Sequence, residues 1–244
     1  MSKCYVESVI AIAAAEVGYL EKKSNKDLNS KTANAGTKNY TKYGKWFGMN
    51  PAYWCAMFIS WIFYKAYGTE TGKKVLGTYS ASCETIRQKF IKNKRYYTKN
   101  PKIGDIVFFS GSRHSGANHI AIVYQIKDNK IYTVEGNTSG ASGVVDNGGG
   151  VAKKSYVINN SKILGYGRPL YDVKTTVSYY KKYTGKSNKI DEVFKSVGAP
   201  NGSVARRTPV AKKNGYYSYK GTEKQNLALI DLAKKGKLKK WELY

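Results

Sequence analysis

The sequence predicts an α+β protein followed by a small helical module. Three observations carry that expectation. Helical patterns dominate up to Phe90, and β-rich runs follow from Ile106 to Tyr166, so helices and strands are segregated rather than alternating as βαβ units. His119-Ile120-Ala121-Ile122-Val123-Tyr124 and Ile131-Tyr132-Thr133-Val134-Glu135 flank Lys127-Asp128-Asn129-Lys130, the pattern of an antiparallel hairpin. After Tyr183, three short apolar faces at helical spacing are separated by Gly and Asn.

In chain order, the first element is an amphipathic helix over roughly Val6 to Leu20. Its run Val9 to Ala15 follows Lys3 and mimics a signal-peptide core. The run is short and is bracketed by Glu7 and Glu16, so a helix is expected and a signal peptide is not. Lys22 to Tyr43 is rich in Lys, Asn, Ser, Thr and Gly and reads as a long loop. Cys55 then opens a helix that is apolar on nearly every side, which places it in the core. Ser82 is a candidate cap for a second helix through Phe90.

Pro101-Lys102-Ile103-Gly104-Asp105 leads into the strand Ile106 to Phe109. Ser110 to Asn118 is a polar loop before the hairpin, and Gly136 to Gly150 a glycine-rich loop after it. Further strands are expected at Ser155 to Ile158 and Ile163 to Tyr166. Asp172 to Tyr183 lacks clear periodicity and reads as a linker. In the tail, Ile190, Val193, Phe194 and Val197 share one helix face. Val204 to Lys213 is a second helix despite Pro209. Thr222 to Lys235 is a third, carrying Leu227, Ile230 and Ala233 on one face and stopping at Gly236. The expected domains are therefore 1–171, a linker 172–183, and a helical module 184–244.

The net charge of +26 is extreme for 244 residues. Residues 1–171 carry 25 Lys and Arg against 10 Asp and Glu, a balance of +15, and the last 73 residues carry 17 against 6, or +11. Such a surface attracts polyanions: nucleic acid, anionic lipid headgroups or teichoic-acid-bearing walls. No apolar run is long enough to span a bilayer. Three cysteines, Cys4, Cys55 and Cys83, show neither a disulfide framework nor metal-ligand spacing. Cys4 is expected in the core.

The chemistry centres on Cys55. A helix N-terminus carries partial positive charge and unpaired N–H groups, both of which favour the nucleophilic thiolate. Cys83, at another helix start, is the rival, on a helix expected nearer the surface. A thiol nucleophile needs a base and a group that orients it. His119 opens a strand, whereas His114 lies in a Gly/Ser loop, so His119 is favoured. Glu135 and Asn137 are the polar candidates for the orienting role. Register decides whether they face His119. A two-residue Asp128-Asn129 turn sets 119 opposite 138, with both candidates facing away. A three-residue loop sets 119 opposite 137, with both on its face. A catalytic hairpin therefore requires an odd loop or a bulge. Trp54, Tyr53 and Trp46 are candidates for lining a sugar or peptide groove.

At these residues the chain resembles the CHAP family, the cysteine/histidine-dependent amidohydrolase/peptidase domains of phage endolysins and bacterial wall hydrolases. The matching pieces are Trp54-Cys55, Gly104-Asp105-Ile106-Val107-Phe108-Phe109, His119-Ile120-Ala121-Ile122-Val123 and Glu135-Gly136-Asn137, spread over roughly residues 1–171. The resemblance implies a papain-like fold cleaving amide bonds of peptidoglycan, with Cys55 as nucleophile, His119 as base, Glu135 orienting it and Asn137 an auxiliary or alternative partner. No cofactor is implied. Many relatives carry Gln before the nucleophile; here Trp54 stands there, and the second oxyanion donor is open. Some relatives bind calcium through an Asp-rich loop, but residues 36–54 hold no Asp or Glu, so no metal is expected. The tail is similar to short three-helix modules of endolysins and wall hydrolases through Tyr183-Thr184-Gly185-Lys186-Ser187 and Gly221-Thr222-Glu223-Lys224-Gln225-Asn226. That likeness implies wall targeting. The expected partners are Gram-positive peptidoglycan and anionic wall polymers, with nucleic acid not the main partner. The expected site of residence is the host bacterial cytoplasm until release to the wall. A bacterial autolysin with the same chemistry and a non-catalytic nucleic-acid-binding protein are the alternatives.

Overall fold

A computed structural model describes the chain except for residues 1, 4, 114, 141–142, 145–146, 172–173, 176–178, 217–218 and 242–244. Cys4, His114 and part of the expected linker therefore lie outside the described residues. The chain divides into two units, Lys3–Lys174 and Thr175–Tyr244, the latter joined by Met1–Ser2. Two-residue strands, β1 (Ser2–Lys3) and β8 (Lys174–Thr175), pair with each other apart from the main sheet.

The larger unit begins with helices. α1 (Val6–Ala15) stops short of the expected Leu20, because the chain turns through Gly18 at φ 86° and Leu20 instead bridges Gly150. Two helices escaped the sequence reading. α2 (Lys42–Phe47) is a six-residue helix capped by Thr41, whose hydroxyl accepts from the Gly44 N–H at 2.9 Å, and is too short to show a period. α4 (Thr69–Leu76) follows α3 (Cys55–Tyr67) after a break at Gly68. α3 is the core helix, with eight buried residues including Cys55, Phe58, Ile59 and Phe63. α5 (Cys83–Lys92) starts at Ser82, whose hydroxyl accepts from the Thr85 N–H at 3.2 Å, the cap expected from sequence.

Six antiparallel strands follow: β2 (Tyr96–Tyr97), β3 (Ile106–Ser110), β4 (Ala117–Lys127), β5 (Lys130–Thr138), β6 (Gly150–Val157) and β7 (Ile163–Gly167), in the order β2-β7-β3-β4-β5-β6. β3 is buried on both faces. Ile106 and Phe108 join Ile120, Ile122 and Val134 in the core beneath the helices, while Val107 and Phe109 join Ala121, Val123, Ile131 and Tyr156 on the opposite face. The β4–β5 turn is the two-residue Asp128-Asn129 form, both residues at positive φ, with Lys127 opposite Lys130. Left alone, it would turn Glu135 away from His119. A bulge between Val123 and Gln125 corrects the register to Ile122 opposite Val134.

The Gly104-Asp105 motif is structural. Asp105, almost fully buried, accepts from Arg168 Nε and Nη2, both at 2.9 Å, and from the Lys102 N–H at 2.8 Å. The pair ties the start of β3 to the residue after β7.

The smaller unit holds α6 (Ile190–Val197), α7 (Val204–Lys213) and α8 (Glu223–Lys234) around its own core of Val193, Phe194, Val210, Leu229, Ile230 and Ala233. Thr222 and Gln225 form a reciprocal capping box on α8. Pro209 sits inside α7 without ending it. Leu227, expected in the core, is 42% exposed; Leu229 takes that place, because the buried stripe of α8 is rotated. Tyr179 bridges Lys239 and Tyr180 is buried in this core, so its packing begins inside the segment expected as a linker.

Candidate active site

Cys55 is the first residue of α3, and Trp54 in the N-cap position makes no side-chain cap bond. The first-turn amides are therefore not taken by a capping side chain, and they surround the sulfur with partial positive charge. Gly136 sets how closely β5 lies to this helix. A Cβ there would stand 2.7 Å from Phe58 Cβ, so only glycine allows the strand carrying Glu135 to press against α3.

His119 and Glu135 are both fully buried, and His119 Nε2 donates to Glu135 Oε2 at 2.9 Å. Thr133 Oγ1 donates to the other carboxylate oxygen at 2.7 Å. Thus both oxygens of Glu135 are held, one by the imidazole and one by a neighbour two residues along the strand. The His119 ring lies against Phe109 with centroids 6.0 Å apart. Its second nitrogen, Nδ1, is buried with no hydrogen-bond partner among the described residues, which leaves it for Cys55.

The electrostatics favour the charged forms of Cys55, His119 and Glu135. The hydrogen bond with Cys83 and the adjacent His119 hold Cys55 well below the ordinary thiol range, against burial; Arg113 adds to the effect. Burial works to lower the His119 pKa, but the adjacent Cys55 and the bond to Glu135 push it up to about 10. Burial likewise disfavours charge on Glu135, yet His119, Thr133 and Tyr156 hold it below the usual carboxylate range.

Sequence reasoning did not anticipate several neighbours. Cys83 Sγ lies 3.4 Å from Cys55 Sγ, and Cys83 is only 6% exposed. Its helix does present a polar side outward, but the thiol faces the core, which corrects the expected surface position. Glu84 Oε2 accepts from the Ala117 N–H at 2.7 Å and ties α5 to the start of β4. Arg113 stacks over the Tyr53 ring, 4.4 Å from its centroid. Ser82 before Cys83 was the one visible signal for this cluster; Thr133 and Tyr156 read only as strand residues.

The expected lining residues separate. Tyr53 is half exposed beneath Arg113. Trp54 is fully buried, stacked on Tyr43 at 5.3 Å with its Nε1 donating to Glu21 at 3.1 Å; it is a packing residue, not a groove wall. Trp46 is half buried against Tyr64 and Tyr79, with ring centroids at 4.8 and 5.6 Å. Asn137 is buried with φ 57°, and its side-chain amide hydrogen-bonds no described residue; Glu135, not Asn137, meets His119. No group of three or more His, Cys, Asp or Glu placed to hold a metal occurs among the described residues. No helix among them is long and apolar enough to cross a membrane.

Among solved structures, Ly7917 is similar at 14% identity, covering 67% of this chain and 62% of its own length, with a TM-score of 0.41. Ly7917 with the hydrolyzing product of MDP gives 16% identity, 68% and 62% coverage, and a TM-score of 0.41. A Staphylococcus aureus protein of the NLP/P60 family, described as similar to lipoprotein, gives 13% identity, 70% and 42% coverage, and a TM-score of 0.33. The chain thus spans less than two thirds of the length of either protein. No curated protein matches. Residues 46–137 match the CHAP domain family model, a stretch that contains Cys55, Cys83, His119, Glu135 and Asn137.

Proposed function

We propose that the protein is a cysteine-dependent peptidoglycan hydrolase that cleaves an amide bond of the stem peptide or cross-bridge. The CHAP domain match supports a peptidoglycan hydrolase. The observation that carries the cysteine chemistry is the buried His119–Glu135 bond at 2.9 Å beside a thiol that His119 and Cys83 draw below its ordinary range.

In this reading the Cys55 thiolate attacks the amide carbonyl carbon, and the electron pair of the C=O moves onto oxygen. The Cys55 N–H, at the uncapped start of α3, is a donor for that oxyanion. Collapse re-forms C=O and breaks C–N, with His119 giving its proton to the leaving amine. Water then adds to the thioester, and His119 takes one of its protons. The C–S bond breaks, releasing the carboxylic acid product, which gives its remaining proton to solvent, and returning Cys55 to the thiolate paired with protonated His119. Glu135 remains ionised throughout and fixes the ring orientation, with Thr133 fixing Glu135 in turn.

The helical tail and the positive charge suit retention on an anionic Gram-positive wall, which raises the effective concentration of the hydrolase at its substrate. The biological role we propose is that of an endolysin held in the host cytoplasm until it reaches the wall. The test is turbidity clearing of purified Gram-positive walls. Wild type is expected to clear them, while Cys55→Ala binds walls but leaves turbidity unchanged. Clearing by Cys55→Ala at the wild-type rate would remove the thiol from the chemistry.

A further inference from the structure

The second thiol has no part in the reaction just described, yet it lies end-on to the first. Cys55 and Cys83 are 28 residues apart in sequence, each opening a different helix, and their sulfurs are 3.4 Å apart in the core. A free buried cysteine is ordinarily a small hydrophobe. Cys83 differs in that its polar atom is spent on another sulfur rather than on hydrocarbon.

We propose that Cys83 is a positioning residue for the nucleophile: its S–H donates to the Cys55 sulfur and holds that thiolate charged and aimed. The proposal rests on the reading of Cys55 as the nucleophile. By distance alone either sulfur is a possible donor. Two features fix the direction. The His119 imidazole, held by Glu135 on its other nitrogen, helps draw Cys55 below the ordinary thiol range, so the proton acceptor belongs to Cys55. The start of α3 has no side-chain cap, whereas Ser82 already serves the start of α5, so the unsatisfied amides stand at Cys55. Negative charge therefore settles on Cys55, and Cys83 keeps its proton and points it at that charge. Consistent with this, the hydrogen bond with Cys55, and burial after it, raise Cys83 well above the ordinary thiol range. A thiol is a weak donor to neutral partners, but an ionised acceptor strengthens the bond.

The device suits a buried nucleophile. Cys55 is 2% exposed and lacks bulk water to solvate its charge before substrate arrives. A protonated thiol supplies a donor at this buried place.

The test is the pH dependence of Cys55 alkylation by iodoacetamide, read by peptide-resolved mass spectrometry on the full chain. Cys83→Ala is expected to move the midpoint up by about one pH unit, and Cys83→Ser, which restores an O–H donor, to recover most of that shift. Wall clearing at a pH below the shifted midpoint should fall about tenfold in kcat/KM for Cys83→Ala and recover in Cys83→Ser. Melting curves establish that each variant is folded, and Cys83→Val replaces Cys83→Ala should the latter not fold. The proposal is overturned if the alanine or valine variant titrates with wild type, or if Cys83→Ser shifts as far as they do. Those outcomes leave the nucleophile reading intact when Cys55→Ala is inactive; survival of activity in Cys55→Ala overturns that reading instead.

Discussion

Replacing Glu135 by Gln keeps the shape of the His119 partner and removes its charge. His119 rises from 6.5 to about 10 against the cost of burial. That rise corresponds to roughly 5 kcal/mol favouring the imidazolium. Cys55 and Glu135 supply it, Glu135 through its hydrogen bond and charge and Cys55 from beside the ring. If the two contribute comparably, Glu135→Gln removes about 2–3 kcal/mol, which lowers the His119 pKa by about two units. The alkaline limb of kcat/KM should then move down by about two pH units, and the rate on the plateau should fall roughly 30–100-fold. Stability carries the same signature. The group has a raised folded pKa, so its contribution is complete below 6.5 and is lost as pH rises through about 10. In Glu135→Gln about half of that loss should disappear from the melting temperature measured across the same range. The assay is the initial rate of wall clearing as a function of pH, with substrate well below KM. An unmoved alkaline limb, with a rate within about twofold of wild type, would refute the coupling drawn here between Glu135 and His119.

Three further perturbations test other links. Gly136→Ala places a Cβ against Phe58 and should cost about 1–3 kcal/mol on thermal unfolding and reduce clearing out of proportion to that loss; unchanged melting and activity would show that β5 does not need the close approach. Asp105→Ala strands Arg168 and should destabilise by about 3 kcal/mol while leaving the alkylation midpoint of Cys55 in place. A shift in that midpoint would mean that the pair acts on the site and not only on the sheet. Peroxide should oxidise the Cys55 thiolate to a sulfenic acid, which the Cys83 thiol attacks with loss of water, since the sulfurs need close only from 3.4 Å to about 2.05 Å. Activity should be lost and then restored by dithiothreitol, with a mixed set of unrelated oxidation products as the contrary result.

Much of this site was legible in the chain because its parts obey local rules. A single cysteine before an apolar run, a serine cap at Ser82 and a histidine opening a β-rich segment are local signals, and they located α3, α5 and β4. The need for an odd loop or a bulge followed from strand parity, and the bulge between Val123 and Gln125 fulfils it. What escaped depends on packing between distant segments. The meeting of Cys55 and Cys83 is set by how α3 and α5 pack, which no spacing encodes. Trp54 read as a groove residue because its neighbours are Tyr53 and Cys55. At the N-cap it turns instead toward Tyr43 and Glu21, where its indole N–H finds an acceptor. α2 is too short to leave a period, and α4 buries only Gly72, Val75 and Leu76 on its one face, a signal too brief to stand out in the sequence.

The central claim is that a thiolate at Cys55, served by His119, opens an amide bond in the bacterial wall. Its most direct measurement is the count of new termini released from purified peptidoglycan. Wild type should liberate free amino groups and carboxyl groups in equal number with no new reducing sugar, and Cys55→Ala and His119→Ala should liberate neither. Reducing ends in place of amines, or amines released undiminished by Cys55→Ala, would contradict it.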